Sequence, residues 1–256
     1  MDSRRRIHPA DYITVLNAVA GFLAITFIID GSFHTVDSRF LQAALLIMAA
    51  LCLDGVDGYV ARRLGGGGGG QYLDSFADTI SFCIAPALMI YRICYDPERG
   101  SAWVAPENTL AVIASTLVAS FGILRLARFA ESDHVKGGFR GLPTPANAVI
   151  LTSMAYLFGA SYGMPVSLLS IVTSFLMISD IPYPKIADAA RGPIVLIIAA
   201  VCGAALAFML FAGNASDTAR FLFLVALASS LGYLIGGPIY AGKPRPGGEV
   251  LRVQRE

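Results

Sequence analysis

Long apolar runs alternate with short polar connectors along the chain. A helix needs about 20 apolar residues to cross the hydrocarbon core of a bilayer, and several of the runs reach that length. The pattern therefore predicts an all-α fold, a polytopic membrane bundle of about eight transmembrane helices. The predicted spans are Ile13–Ile29, Phe40–Leu64, Tyr72–Cys94, Leu110–Phe129, Ala146–Tyr162, Val166–Met177, Ile194–Phe211 and Phe221–Ile239. The sixth is short, so a tilted or partial crossing stays open.

The composition agrees with a membrane protein. Of the 256 residues, 55% are hydrophobic and 14% are charged, whereas soluble domains carry about a quarter charged residues. The net charge of +1 argues against nucleic acid as a partner. We expect residues 1–256 to form a single integral membrane domain without a separate soluble part.

The basic residues predict the orientation of the bundle. Positive charge is enriched in cytoplasmic connectors of membrane proteins. Placing the N-terminus in the cytoplasm puts fifteen of the nineteen Lys and Arg residues on that side. The opposite side receives Arg39, Arg92, Arg99 and Arg220. We therefore expect a cell-membrane protein with a cytoplasmic N-terminus, and the polar ends of the second and third spans lie on the same side.

Four acidic residues stand at those polar ends: Asp54 and Asp57 on the second span, Asp74 and Asp78 on the third. Spacings of three and four residues place each pair on one helix face. Ionisable groups at membrane depth are costly and tend to be functional, and four clustered carboxylates repel one another unless cations neutralise them. Oxygen ligands favour magnesium, manganese or calcium over zinc or copper. The alternative is a set of helix-end salt bridges to Arg62 and Arg63, but four acids at matched spacing favour a metal site for two divalent cations.

The acids also belong to a longer motif. Asp54-Gly-Val-Asp-Gly-Tyr-Val-Ala-Arg62 is followed by Gly70-Gln-Tyr-Leu-Asp-Ser-Phe-Ala-Asp78. Together they resemble the signature D-x-x-D-G-x-x-A-R, spacer, G-x-x-x-D-x-x-x-D of the CDP-alcohol phosphotransferase family, with all eight fixed positions present. The spacer contains an unusual run of glycines, but its length is acceptable. The chain is on this basis identified as resembling that family.

The resemblance implies roles for individual residues. Asp54, Asp57 and Asp74 would bind Mg²⁺ or Mn²⁺, two ions per site, and Asp78 would both bind metal and act as the general base. The CDP-lipid would contact Thr14, Asn17, Asp57, Gly58, Ala61, Arg62 and Gly70. For Thr14 and Asn17, satisfied polar packing between helices remains an equal alternative. The family also implies a homodimer.

Three further stretches bear on the acceptor: Leu124-Arg-Leu-Ala-Arg-Phe129, Phe139-Arg-Gly-Leu-Pro-Thr-Pro-Ala146 and Ser179-Asp-Ile-Pro-Tyr-Pro-Lys185. They resemble segments of the phosphatidylserine synthase branch of the family. That branch implies L-serine as acceptor and CDP-diacylglycerol, or its archaeal counterpart CDP-archaeol, as donor. Arg125, Arg128 and Arg140 are the candidates for binding the serine carboxylate. Their alternative role is anchoring to lipid headgroups.

The implied reaction is a metal-assisted direct displacement in which the serine hydroxyl attacks phosphorus, Asp78 takes the proton and CMP leaves. Transfer to inositol phosphate or glycerol phosphate is the alternative within the family, and these acceptors would require a denser basic cluster. A cation-pathway transporter would need acids at several membrane depths, whereas these four lie near one face. A non-catalytic scaffold would leave the eight motif positions unexplained.

Overall fold

The computed structural model describes residues 8–33, 35–64, 70–132, 139–183 and 215–241. Helices dominate this part of the chain, which confirms the predicted all-α class. They are α1 (Pro9–Asp30), α2 (Ser38–Leu64), α3 (Gly70–Asp78), α4 (Ala85–Cys94), α5 (Pro106–Ser132), α6 (Thr144–Phe158), α7 (Gly163–Ile178) and α8 (Ala215–Ala241). Two short strands, β1 (Phe139–Arg140) and β2 (Pro182–Tyr183), pair antiparallel.

Within the described residues, five helical stretches are long and apolar enough to cross a membrane: Pro9–Asp30, Ser38–Ala61, Gly70–Cys94, Pro106–Phe129 and Asp217–Ile239. They correspond to predicted spans one to four and eight, and they identify an integral membrane protein. Helices α6 and α7, at the predicted fifth and sixth spans, have only 15 and 16 residues. At 1.5 Å per residue each covers about 23 Å, less than the roughly 30 Å hydrocarbon core. The predicted seventh span, Ile194–Phe211, lies outside the described residues.

The stretch Gly70–Cys94 occupies the centre of the bundle. Of its 18 most apolar consecutive residues, 56% are buried, against 22–33% in the other four long stretches. Between α3 and α4 the chain forms a π-helical segment, Thr79–Ile84, a geometry often found at functional sites. Two glycines let neighbouring helices approach this segment. A Cβ at Gly21 of α1 would lie 2.7 Å from the Cα of Ser81, and one at Gly122 of α5 would lie 2.7 Å from the sulfur of Cys83.

At the end of the bundle opposite the aspartates, buried Arg92 and half-buried Asp37 form an ion pair. Arg92 of α4, only 2% exposed, donates to Asp37 at 2.9 Å, and its guanidinium lies over the ring of Phe40. Partial burial alone would raise the pKa of Asp37. Hydrogen bonds from the backbone N–H groups of Phe40 and Ser32, together with the charge of Arg92, outweigh that effect and lower this pKa. Asp37 and Asp57 are separated by 20 residues of nearly continuous helix, about 30 Å, so the ion pair is remote from the motif.

The β1–β2 pair determines how the chain enters α6. Gly141 follows β1 with φ +76°, and its N–H donates to the carbonyl of Ile181. A side chain at Gly141 would collide with the backbone carbonyl of Met177, so both the dihedral angle and the close approach require glycine. Pro143 then precedes the first turn of α6. This geometry fixes the position of Thr144, which contacts the site described next.

Candidate active site

Three carboxylates of the motif converge where α2 ends and α3 begins. One carboxylate oxygen from each of Asp54, Asp57 and Asp74 lies within 4.8 Å of the others. Asp57 is buried, and Asp54 and Asp74 are half-buried. Asp54 and Asp57 share one face of α2 because they are three residues apart, and Asp74 of α3 lies close to both.

Asp78 lies beside this group at the end of α3. Its side chain is 8% exposed, and its charge interacts with those of Asp54, Asp74 and Asp57. Asp78 is the last residue before the π-helical segment. The structure therefore brings all four predicted acids into one electrostatic cluster, with Asp54, Asp57 and Asp74 in the closest mutual arrangement.

Helix α1 supplies two polar side chains to the cluster. The hydroxyl of Thr14 donates to Asp57 at 2.8 Å, and the amide nitrogen of Asn17 donates to Asp78 at 3.4 Å. The amide oxygen of Asn17 is buried without a hydrogen-bond partner among the described residues. Ser81, in turn, donates to the backbone carbonyl of Asn17 at 2.9 Å. Thr14 and Asn17 thus contact the acids directly, and their predicted contact with a nucleotide stays a prediction.

The remaining motif positions line the same corner. Gly58 and Ala61 follow Asp54 by four and seven residues on α2 and are half-buried, so they share its helix face. Gly70 is the first residue of α3, and among the described residues a Cβ there would meet Asp11 alone, at 3.5 Å. The side chain of Arg62 lies outside the described part of the structure. Gly58, Ala61 and Gly70 therefore add no bulky side chain at these three positions.

The donor set fits a divalent cation. It consists of carboxylate oxygens from three side chains within 4.8 Å of one another, and such oxygens are the ligands of Mg²⁺ and related hard cations. The fourth acid nearby adds negative charge, which stays unfavourable unless cations compensate it. Asp54, Asp57 and Asp74 are therefore the residues that would hold a metal.

Of the three arginines predicted to bind the acceptor, Arg125 is the one next to the acids. Its side chain on α5 is buried and interacts electrostatically with Asp78, Cys83 and Tyr233. Its guanidinium donates to the hydroxyl of Thr144 at 2.8 Å. A cation in the bundle interior is costly unless charged or polar groups compensate it, and here both kinds surround it.

Arg128 and Arg140 are in different surroundings. Arg128 is exposed and donates to the backbone carbonyl of Ile178, at the end of α7. Arg140 on β1 is also exposed and lies 3.8 Å from Asp180. In this structure Arg128 binds the end of α7 and Arg140 lies near Asp180 in the segment that follows α7, whereas Arg125 lies within electrostatic range of Asp78.

Several residues around Arg125 were missed from the sequence. Thr144 accepts its hydrogen bond, Tyr233 of α8 lies within its electrostatic range, and Asn147 of α6 is fully buried. Tyr233 also stacks on Tyr183 of β2, with ring centroids 5.6 Å apart. The available signal was a polar group inside an apolar run, which by itself does not distinguish a site residue from ordinary helix packing.

With this geometry established, comparison with known proteins is informative. A sequence profile of the family described as CDP-alcohol phosphatidyltransferase matches residues 7–178. The matched region contains the four acids, Arg125 and Thr144. Of the elements described above around the acids and Arg125, β2 and α8 lie outside the matched region.

Named relatives are 34–38% identical to the chain over the aligned residues. An archaetidylserine synthase of Methanothermobacter thermautotrophicus is 36% identical over 179 residues, which cover 69% of each chain. A CDP-diacylglycerol–serine O-phosphatidyltransferase of Methanocaldococcus jannaschii is 38% identical over 183 residues, covering 71% of this chain and 76% of the relative. A protein of the same name from Saccharomyces cerevisiae is 34% identical over 166 residues, covering 59% of this chain and 55% of the relative.

Proposed function

This chain belongs to the CDP-alcohol phosphatidyltransferase family, and we propose that it transfers the lipid phosphoryl group of a CDP-activated lipid to the hydroxyl of L-serine, releasing CMP. The observation that carries the proposal is that buried Arg125, whose guanidinium donates to Thr144 at 2.8 Å, lies within electrostatic range of Asp78. The names of the relatives, which are serine transferases, support the same acceptor.

The donor is a CDP-lipid bound at the junction of α2 and α3. The small residues Gly58, Ala61 and Gly70 leave room for the nucleotide close to the backbone. A divalent cation held by Asp54, Asp57 and Asp74 would neutralise charge on the diphosphate. We propose Mg²⁺ or Mn²⁺, with two ions per site, because four carboxylates carry about four negative charges.

The reaction proceeds by direct displacement at the lipid-bearing phosphorus. The oxygen of the serine side chain forms the new bond to phosphorus, the bond between phosphorus and CMP breaks, and CMP leaves with the bonding electrons. Asp78 accepts the serine proton. The role suits Asp78 because it is buried and because Asn17 orients its carboxylate through one oxygen. A positioned base matters, since a hydroxyl is a weak nucleophile near neutral pH.

The charge around the acceptor favours serine over a phosphorylated acceptor. Among the side chains described at this end of the bundle, Arg125 is the buried cation, while Arg128 and Arg140 are exposed and bound elsewhere. One guanidinium matches one carboxylate through paired hydrogen bonds. Inositol phosphate and glycerol phosphate carry a phosphate dianion and would require more positive charge.

The proposed setting is the cell membrane, with the N-terminus and the aspartates on the cytoplasmic side, where most basic residues are expected. We further propose a homodimer in the membrane. A cysteine introduced at Glu98, in the connector between α4 and α5, should react with an impermeant thiol reagent from outside. One introduced at Gly67 should react only after permeabilisation, and equal labelling of both in intact cells would contradict this orientation.

Product analysis tests the function. Purified protein is incubated with CDP-diacylglycerol or CDP-archaeol, Mg²⁺ or Mn²⁺, and labelled serine, inositol phosphate or glycerol phosphate. We expect a serine-containing lipid and an equal amount of CMP. The two donors decide between ester-linked and ether-linked lipid. Transfer to a phosphorylated acceptor without transfer to serine would refute the proposed acceptor and leave the family assignment intact.

A further inference from the structure

One polar side chain near Arg125 has no part in the mechanism above. Asn147 of α6 has no exposed surface, and neither the oxygen nor the nitrogen of its side-chain amide has a hydrogen-bond partner among the described residues. Buried polar side chains nearly always have partners in folded proteins. An amide with both ends unpaired therefore calls for an explanation.

Its position points to the acceptor. Asn147 lies three residues after Thr144, so the two share one face of α6, and Thr144 accepts the hydrogen bond of Arg125. The next residue, Ala148, packs in one buried cluster with Ala20, Ala50 and Phe82. These belong to α1, α2 and the π-helical segment, the elements that surround the aspartates. Asn147 thus lies on the part of α6 that contacts Arg125 through Thr144 and that packs through Ala148 against α1, α2 and the π-helical segment.

A side-chain amide can accept a hydrogen bond from the ammonium group of serine, which a guanidinium cannot do. Free serine carries a carboxylate, which needs hydrogen-bond donors, and an ammonium group, which needs an acceptor. Arg125 offers donors alone, whereas an asparagine side chain offers both a donor and an acceptor. The amide adds no charge, so the local balance still suits one carboxylate rather than a phosphate dianion.

We propose that Asn147 binds the acceptor: its side-chain nitrogen donates to the serine carboxylate together with Arg125, and its oxygen accepts from the serine ammonium group. This inference rests on the proposed serine transfer. It makes Asn147 a specificity residue that touches the acceptor but takes no part in proton transfer or in donor binding.

The test is steady-state kinetics of the full-length protein in detergent with its CDP-lipid, Mg²⁺ or Mn²⁺, and serine. In Asn147→Ala we expect the KM for serine to rise at least about tenfold, the loss typical of one hydrogen bond to a charged group. The KM for the CDP-lipid and kcat at saturating serine should stay within about threefold. Asn147→Asp retains the size but replaces the donor with a charge that repels the carboxylate, so its KM for serine should rise further.

Ser153→Ala is the matched control, because Ser153 is also fully buried on α6 and its side-chain oxygen has no hydrogen-bond partner in the described part of the chain, but it lies six residues away. It should leave both KM values unchanged. A purely structural Asn147 would give Asn147→Ala an unchanged KM for serine, whatever its thermal stability, and that result overturns the inference. A parent protein that does not use serine at all would instead refute the proposed function.

Discussion

The close packing of α1 against the π-helical segment predicts an unusually large effect of a single methyl group. A Cβ at Gly21 would lie 2.7 Å from the Cα of Ser81. This contact is with backbone, so rotating the serine side chain does not relieve it. Ordinary contact begins at 3.4 Å, so Gly21→Ala should push α1 and the segment apart by about 0.7 Å, a change that well-packed cores resist.

The displacement acts directly on the proposed base. Asn17 donates to Asp78 at 3.4 Å, already near the limit for a hydrogen bond, and Ser81 holds the backbone of Asn17 on the other side. Separation by about 0.7 Å breaks the Asn17–Asp78 bond and shifts the carboxylate. Misplacement of catalytic groups by about 1 Å can cost about 100-fold in rate. We expect kcat to fall by roughly that factor, while overpacking lowers stability by about 1–3 kcal/mol.

Initial rates of CMP release and thermal unfolding in detergent measure the two effects. Gly232→Ala on α8 is the control, because a Cβ there meets no described atom within 4 Å, and this variant should keep full activity. Gly122→Ala adds a second comparison, since the nearest atom to its Cβ is the sulfur of Cys83. Adding Cys83→Ala to Gly122→Ala should partly restore activity. Ser81→Ala should not restore Gly21→Ala. A Gly21→Ala enzyme with a kcat within threefold of the parent would refute the reasoning.

Three further predictions concern the acids and the remote ion pair. Asp78→Asn should keep CDP-lipid affinity but lose about 100- to 10,000-fold in single-turnover rate, the usual cost of removing a general base. Asp54→Asn should weaken nucleotide binding as well. Turnover of Asp78→Asn within a few-fold of the parent would assign the base elsewhere. Excess chelator should abolish product formation and added Mg²⁺ or Mn²⁺ should restore it, so full turnover in metal-free buffer would rule out the metal site. Asp37→Asn should destabilise the protein by about 1–3 kcal/mol at neutral pH, because buried Arg92 loses its charged partner. The pKa of Asp37 is lowered in the fold, so ionised Asp37 stabilises the protein at pH values above its ordinary pKa of 3.8, and this stabilisation is lost as the pH falls below that value. Parent and variant should therefore converge in thermal stability in that acidic range. A constant difference down to pH 3 would contradict this pH dependence.

The sequence predicted the helical class and the carboxylate site well for physical reasons. The hydropathy signal of a span is summed over about 20 residues, so isolated polar residues do not obscure it. Helix geometry alone places residues three or four positions apart on one face, as in the pairs Asp54–Asp57 and Asp74–Asp78. Both features are local, and local features survive without knowledge of the packing.

Features that depend on packing between distant segments were harder to predict. Arg125 and Arg128 are three residues apart on α5, yet one is buried at the cluster and the other is exposed, since the difference depends on where α6 and α7 lie. The π-helical segment lies against Gly21 and Gly122, and no periodicity in its own sequence encodes these contacts. Tyr233 lies on α8, 48 residues beyond Lys185, where the family resemblance in the sequence ends.

The π-helical segment also changes how insertions and deletions act on this helix. Each residue of an α-helix turns the chain by about 100°, whereas a residue of a π-helix, in which hydrogen bonds run from i to i+5, turns it by less. A deletion of one residue from Thr79–Ile84 is therefore absorbed if the segment rewinds as regular α-helix. Winding all six residues as α-helix would instead rotate Asp74 and Asp78 relative to the buried face of α4 by about the turn of one residue, roughly 100°. That face includes Met89, Ile90 and Ile93, which have essentially no exposed surface. The helix would then satisfy either the carboxylate cluster or the bundle interior, but not both. The π-helical winding of this six-residue segment thus sets the rotation between the carboxylates at one end of the helix and the buried face at the other.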